Sequence, residues 1–368
     1  MGVYGYIYGC MKAPKIDLIP KEIANLIAEI DEFKGRWATT QTLAPDRLAA
    51  LRQVATIESV GSSTRIEGVK LTNSEVEALL RGIKTYSFRS RDEQEVGGYA
   101  ELMEMIFASY EDIPLTENHI KQLHSILLKY STKDDRHRGE YKKFANSVEA
   151  FGPDGKSKGV IFHTATPFDT PELMKDLVEW TNTQVTHKEL HPLLVVAVFV
   201  VVFLHIHPFQ DGNGRLSRAL TTLLLLRLGY SYVPYSSFER IIEENKEAYY
   251  LALRRGQAEL EEADAKTKSK TKPGGLFDWF KFFLKSMQKQ KVALEAKMKD
   301  ELAATKLPRL SLQIVELIKS RGETSLGEAA AVLGANRNTI KVHFKNLVNN
   351  GRLEKVGVGR GMRYRMRC

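Results

Sequence analysis

Two apolar runs, residues 193–204 and 219–226, stand on either side of one polar stretch, His207-Pro208-Phe209-Gln210-Asp211-Gly212-Asn213-Gly214-Arg215-Leu216-Ser217-Arg218. Runs this apolar, with no polar face, read as helices buried on all sides. The longest, residues 192–206, falls short of the roughly 18 residues of a membrane span and contains His205. It is therefore expected in a core, and no membrane partner is expected. The polar stretch must then be a loop held between two buried helices, and it opens the second.

That loop gathers the parts needed to handle a nucleotide. Gly212-Asn213-Gly214 lets the backbone bend tightly and approach a ligand. Free N–H groups at the start of the next helix, with the helix dipole, make an anion site suited to phosphate. Arg215 and Arg218 are three apart, rise from one turn, and carry guanidinium forks that match phosphate oxygens. Asp211 offers a carboxylate to a Mg2+ ion that would keep several waters. His207 can act as a general base near neutral pH. Each feature alone is an ordinary turn; together, within twelve residues, they point to phosphate chemistry.

The stretch resembles the signature of the Fic family, His-x-Phe-x-Asp/Glu-Gly-Asn-Gly-Arg-x-x-Arg, with every fixed position filled. A looser resemblance covers most of residues 20–290. It implies a mainly α fold, a helical core with a small β-hairpin flap, and an enzyme that transfers AMP from ATP to a Ser, Thr or Tyr hydroxyl of a protein, itself included. It implies His207 as the catalytic base, Asp211 as the Mg2+ ligand, and Gly212, Asn213, Gly214, Arg215 and Arg218 as ATP ligands. Members that transfer phosphate instead carry Lys where this chain has Gly214, so AMP transfer is the expectation. No Walker-type phosphate loop suggests another nucleotide machine.

Ser63-Thr64-Arg65-Ile66-Glu67-Gly68 resembles the inhibitory pattern of the same family, Ser/Thr-x-x-x-Glu-Gly/Asn. Ser63 and Glu67 share a helix face, and Gly68 suits the position just past a helix end. The resemblance implies that Glu67 pairs with Arg218 where the ATP γ-phosphate would sit. Charge logic agrees, since a carboxylate can replace a phosphate opposite an arginine. Glu67 is thus counted with both the inhibitory and the ATP-binding residues. The alternative within the family is the reverse reaction, in which Glu67 orients a water that removes AMP.

Periodicity predicts helices over residues 21–35, 45–67, 73–81 and 91–110, and another opened by Thr116. Gly139, Gly152, Pro153, Gly155 and Gly159 break the pattern over residues 136–167. There, Val160-Ile161-Phe162-His163-Thr164 reads as a strand that pairs with residues 144–151. The resemblance implies that this hairpin is the flap, holding a target segment by strand addition through Ile161, Phe162, His163 and Thr164. Thr170 is expected to cap a helix over residues 172–183, residues 232–235 to be an extended connector, and residues 239–260 to form one helix. The resemblance puts adenine and ribose beside that helix, with Tyr250 as the stacking residue and a core position as its alternative.

Four regions follow: residues 1–112, helical, with the inhibitory helix; 113–260, the catalytic core; 261–304, a polar linker and long helix; and 305–368. The last holds 13 Lys and Arg against 4 Asp and Glu, which accounts for the net charge of +9 of the whole chain. Its three short helices and two strands around a Gly-rich turn look like a winged helix-turn-helix. Used on DNA, as a transcriptional regulator, it would present Arg337, Asn338, Lys341 and His343; used on protein, it would be a docking module. Cys10 and Cys368 cannot make a disulfide framework, and residues 1–12 lack the pattern of a signal peptide, so a cytoplasmic location is expected. Expected partners are ATP, a protein with an acceptor hydroxyl, DNA through residues 309–368, and a second copy of the chain.

Overall fold

The computed structural model describes residues 6–7, 11–12, 19–39, 45–82, 88–151, 157–264, 274–305, 308–357 and 359–367; Cys10 and Cys368 lie outside them. The chain divides into two units, Met1–Leu294 and Glu295–Cys368.

The first unit opens with a short antiparallel pair, β1 (Tyr6–Ile7) and β2 (Met11–Lys12). In α1 (Lys21–Thr39) the stripe Ile23, Leu26, Ile27 and Ile30 is buried, joined by Phe33. α2 (Pro45–Ile66) stops where Gly68 takes φ +106°. α3 (Asn73–Gly82) and α4 (Arg91–Ser109) follow, the latter capped by the Ser90 side chain. α5 (Glu117–Leu127) starts at Thr116, whose hydroxyl accepts the His119 N–H at 3.2 Å. β3 (Ser147–Phe151) and β4 (Ser157–His163) form the expected antiparallel hairpin. Its register places Ile161 and Lys158 on β4 without opposing residues, two bulges that bend the ribbon.

α6 (Thr170–His187) has Asp169, not Thr170, at its cap; the Thr170 hydroxyl instead donates to Thr166 O at 2.7 Å, one turn back. α7 (Pro192–Ile206) and α8 (Asn213–Arg227) are the two apolar helices. Every residue from 193 to 204 and from 215 to 226 is buried. At about 1.5–3 kcal/mol for each large apolar side chain removed from water, this pair is the centre of the core. α6 and α10 pack on α7, and α4 packs on α8.

The expected extended connector is a short 3₁₀ turn, Val233–Tyr235. The expected single helix after it is two, α9 (Phe238–Glu244) and α10 (Lys246–Asp264). Asn245 makes the break: its side-chain amide donates to Ile241 O at 2.7 Å, the local bonding that suits Asn to helix ends. α11 (Gly275–Thr305) follows, with the Trp279 indole donating to Ala197 O of α7 at 2.7 Å; the first unit ends within this helix, at Leu294.

In the second unit, α12 (Arg309–Arg321), α13 (Leu326–Leu333) and α14 (Arg337–Asn349) pack around Ile314, Ile318, Ile340, Phe344 and Leu347. A three-stranded antiparallel sheet joins them: β5 (Glu323–Thr324), β6 (Leu353–Val356) and β7 (Arg363–Met366), in the order β5-β7-β6. Glu323-Thr324 is too short to carry an alternation and was not expected as a strand. Ser325 and Glu328 form a reciprocal capping box at α13.

Candidate active site

His207 ends α7 in the left-handed conformation, φ 53°, with its N–H still bonded to Phe203 O at 2.9 Å. For a non-glycine residue this is strained and is held by what surrounds it. The ring Nδ1 lies 3.3 Å from Leu204 O, so it carries the proton and Nε2 keeps a free lone pair. Burial lowers the His207 pKa to about 4, so at neutral pH the ring is a base.

The loop after His207 is pinned from three sides. Asn213 accepts the Phe209 N–H at 2.9 Å and donates to Phe209 O at 2.7 Å. Its side chain is therefore a brace for the loop rather than a phosphate ligand, and its N–H is what remains for an anion. His124, fully buried, stacks on Phe209 with ring centres 3.8 Å apart. Its Nε2 donates to Asp211 O at 3.0 Å while Nδ1 accepts the Gly139 N–H at 2.9 Å. Burial lowers it to about 4, which keeps that single tautomer. Lys142 donates its Nζ to Ile206 O, Asn146 Oδ1 and Thr164 Oγ1 at 3.0, 2.9 and 2.8 Å, and its N–H to Pro208 O at 2.8 Å. This knot ties the base of the hairpin to the loop. Ile161, Phe162 and His163 lie in β4 by their backbone, and Thr164 in the knot.

Gly212, at φ +79°, caps α8. Behind it stand the charges. Arg218 is 3% exposed; its Nε donates to Ser63 Oγ at 2.8 Å and its NH2 to Ser63 O and Glu67 Oε1 at 2.9 and 2.8 Å. Burial would push the Glu67 carboxyl up, but Arg218, with Arg215 and Lys246, holds it below its ordinary value. Arg215, equally buried, pairs with Glu95 Oε2 at 3.0 Å and Asp211 Oδ1 at 3.2 Å. Asp211 also accepts the Gly212 N–H, and its Oδ2 stands 3.5 Å from Arg91.

A cavity of about 340 Å³ is lined by Glu67, His207, Asp211, Gly214, Arg215 and Arg218, and by Tyr249, Tyr250, Arg254 and Gln257 of α10. Tyr250 is 40% exposed at this wall, so it is not a core tyrosine. Gln257 is 2% exposed, and its Nε2 has no hydrogen-bond partner among the described residues. A buried amide left unbonded is costly unless a ligand answers it. A larger cavity, about 920 Å³, is lined mainly by α2, α3 and α4 and holds none of these residues. For Mg2+ the site offers the partly exposed Asp211 carboxylate, and no cluster of three His, Cys, Asp or Glu occurs among the described residues. One carboxylate fits an ion that takes its other ligands from phosphates and water.

His207, Asp211, Gly212, Asn213, Gly214, Arg215, Arg218, Glu67 and Tyr250 all line one cavity, with Ser63 bonded behind Arg218 and Gly68 turning the chain after Glu67. Sequence reasoning missed His124, Lys142, Glu95 and Gln257. Gln257 was within reach: Tyr250, Arg254 and Gln257 recur at helical spacing on one face.

Residues 114–225 match the Fic/DOC family. A protein adenylyltransferase Fic of Drosophila willistoni is 30% identical over 189 residues, which span 51% of this chain and 35% of that relative. The chain thus spans about a third of that relative's length. Among solved structures, a Fic family protein of Desulfovibrio desulfuricans G20 is 25% identical and superposes with a TM-score of 0.57, covering 95% of this chain and 97% of the other. A Fic-domain signaling protein of Bacteroides thetaiotaomicron VPI-5482 is likewise 25% identical, with a TM-score of 0.55 over 75% of this chain and 97% of the other. The filled signature, the hairpin of buried helices that presents it and these likenesses agree that this chain carries a Fic domain at residues 114–225.

Proposed function

We propose that this chain is a protein adenylyltransferase held in check by Glu67. The observation that carries the reading is the meeting, in one cavity, of a neutral His207 with the open start of α8 and Arg218. His207 Nε2 takes the proton of an acceptor Ser, Thr or Tyr hydroxyl. Its oxygen bonds the ATP α-phosphorus as the bond to the β-phosphate oxygen breaks, and pyrophosphate leaves. Backbone N–H groups of Asn213 and Gly214 face the charge that builds on the phosphates, while that of Gly212 is held by Asp211. Arg218, and Arg215 as oriented by Glu95, hold the outer phosphates. Asp211 would hold Mg2+, which supplies charge neutralisation on the α- and β-phosphates. Tyr250 stacks on the adenine and Gln257 bonds its edge. The hairpin holds the target's segment by its backbone. A cytoplasmic location goes with ATP as donor. Incubation with labelled ATP tests the reading: labelled protein should appear with Glu67→Gly and not when His207→Ala is added to it.

A second reading concerns the second unit, which we propose is a winged helix that binds DNA. Arg337, Lys341 and Lys345 recur every four residues along the exposed face of α14, a helix with no Asp or Glu. None of the three forms an ion pair among the described residues. His343 is withdrawn as a contact, because its ring bonds Ser311 Oγ of α12 at 2.7 Å. A gel-shift titration of the full chain at two salt concentrations tests this: binding should weaken with salt and with Lys341→Ala.

A further inference from the structure

Glu67 follows the last turn of α2 and is 31% exposed along its side chain, so its pairing with Arg218 does not by itself explain why that chain end stays in the cavity. The residue two positions earlier is bonded more heavily. Arg65 donates Nε to Glu243 Oε1 at 2.6 Å and NH2 to Glu243 Oε2 at 2.9 Å, a two-pronged pair with α9. Its NH1 donates to Leu71 O at 3.0 Å and Asn73 Oδ1 at 3.1 Å, across the turn that follows Glu67. Room for the guanidinium comes from Gly61: a Cβ there would lie 2.6 Å from Arg65 NH1 and 2.8 Å from Asn73 Oδ1. Lys246, first in α10, adds a bond from Nζ to Ile66 O at 2.6 Å.

These bonds join two things that the cavity needs together. One is the helix end that carries Glu67. The other is the α9–α10 break, from which Tyr249, Tyr250 and Gln257 form a wall of the same cavity. We infer that the Arg65–Glu243 pair is a latch that positions Glu67, so that the strength of inhibition is set outside the cavity, by contacts that touch neither ATP nor His207. The inference rests on the inhibitory reading of Glu67. It also names what relief would require: a partner or modification that withdraws Glu243 from Arg65, or a shift of α9 that separates them. Neutralising one member of a fork-shaped pair removes charge and geometry together.

The test is self-labelling by the full chain with labelled ATP and Mg2+, in the wild type, Glu67→Gly, Glu243→Gln, Arg65→Met, and Glu67→Gly combined with Glu243→Gln. Glu243→Gln keeps shape and volume, and unchanged thermal midpoints would exclude misfolding. We expect Glu243→Gln and Arg65→Met each to raise labelling roughly fivefold, the scale of a partly exposed ion pair, and the combined variant to label no faster than Glu67→Gly alone. A rise in Glu67→Gly with Glu243→Gln and Arg65→Met both at the wild-type level would overturn the latch and leave the inhibitory reading standing. A combined variant faster than Glu67→Gly would overturn it too, since Glu243 would then act other than through Glu67. No rise in Glu67→Gly would remove the inhibitory reading, and the latch with it.

Discussion

Gly214 and Glu67 exclude a side chain between them: a Cβ on Gly214 would lie 2.2 Å from Glu67 Oε1 and 3.3 Å from Arg218 NH1. The Glu67 carboxylate therefore rests on bare backbone at the start of α8, where the phosphates are proposed to lie. Gly214→Ala should force Glu67 off Arg218 and destabilise the fold by about 1 kcal/mol, the lower end for overpacking because a flexible side chain can give way. In a Glu67→Gly background the same substitution should cost almost nothing. Chemical denaturation of the four proteins measures the coupling, and a cost that is equal in both backgrounds would mean that Glu67 is not seated there.

Glu67→Gly should raise AMP transfer, because Arg218 becomes free for the outer phosphate. Arg218→Ala also frees Glu67 but removes that phosphate ligand, so it should label weakly. Calorimetry of ATP binding compares them directly, with tighter binding expected in Glu67→Gly. Tighter binding in Arg218→Ala would separate Arg218 from the nucleotide.

His207→Ala should lower transfer by about 10²–10⁴ while ATP binding persists. Transfer near the rate of the parent protein would take His207 out of the mechanism.

Acid should act on stability before it acts on the chemistry. His124 and His207 titrate at about 4 in the fold, below the ordinary 6.5. The unfolded chain binds those protons first, so their contribution to stability is complete above pH 6.5 and declines as pH falls toward 4. His207 stays a base across that range, so transfer rates should hold from about pH 8 to about pH 5 wherever the protein stays folded. Thermal midpoints against pH should fall less steeply in His124→Gln than in the wild type, and equal slopes would count against His124 as a source of acid sensitivity.

Gln257→Leu should weaken ATP binding by about tenfold, from loss of a bond to a buried amide, and should narrow any preference for ATP over GTP. Competition binding with the two nucleotides reads both effects. An unchanged ATP affinity would leave the unpartnered Gln257 amide without a ligand role.

The helices around the site were legible because their apolar stripes are periodic and their ends carry Ser, Thr, Gly or Pro. The loop chemistry was legible because one contiguous stretch holds it. What escaped was long-range or competitive. Nothing local says that His124 stacks on Phe209 or that Lys142 bonds Ile206 O, since those partners meet only when helices pack. Asn245 broke an expected helix because its amide competes for the backbone, which a hydrophobic period cannot register. Thr170 lost its cap to Asp169, a one-residue difference that only backbone geometry decides.

The burial of α7 and α8 separates what can move from what cannot. The strained His207 backbone and the amides of the loop are held between two helices that open only when the whole core opens. The His207 amide hydrogen, bonded to Phe203 O, should exchange with solvent at the rate of global unfolding, whereas the Asn213 and Gly214 amides that open on the cavity should exchange readily. Gly68, exposed after Glu67, should exchange by local fluctuation. On the proposed reading, His207 is thus permanently assembled, and control can come from a Glu67 segment that fluctuates on a much faster clock than the core around the base.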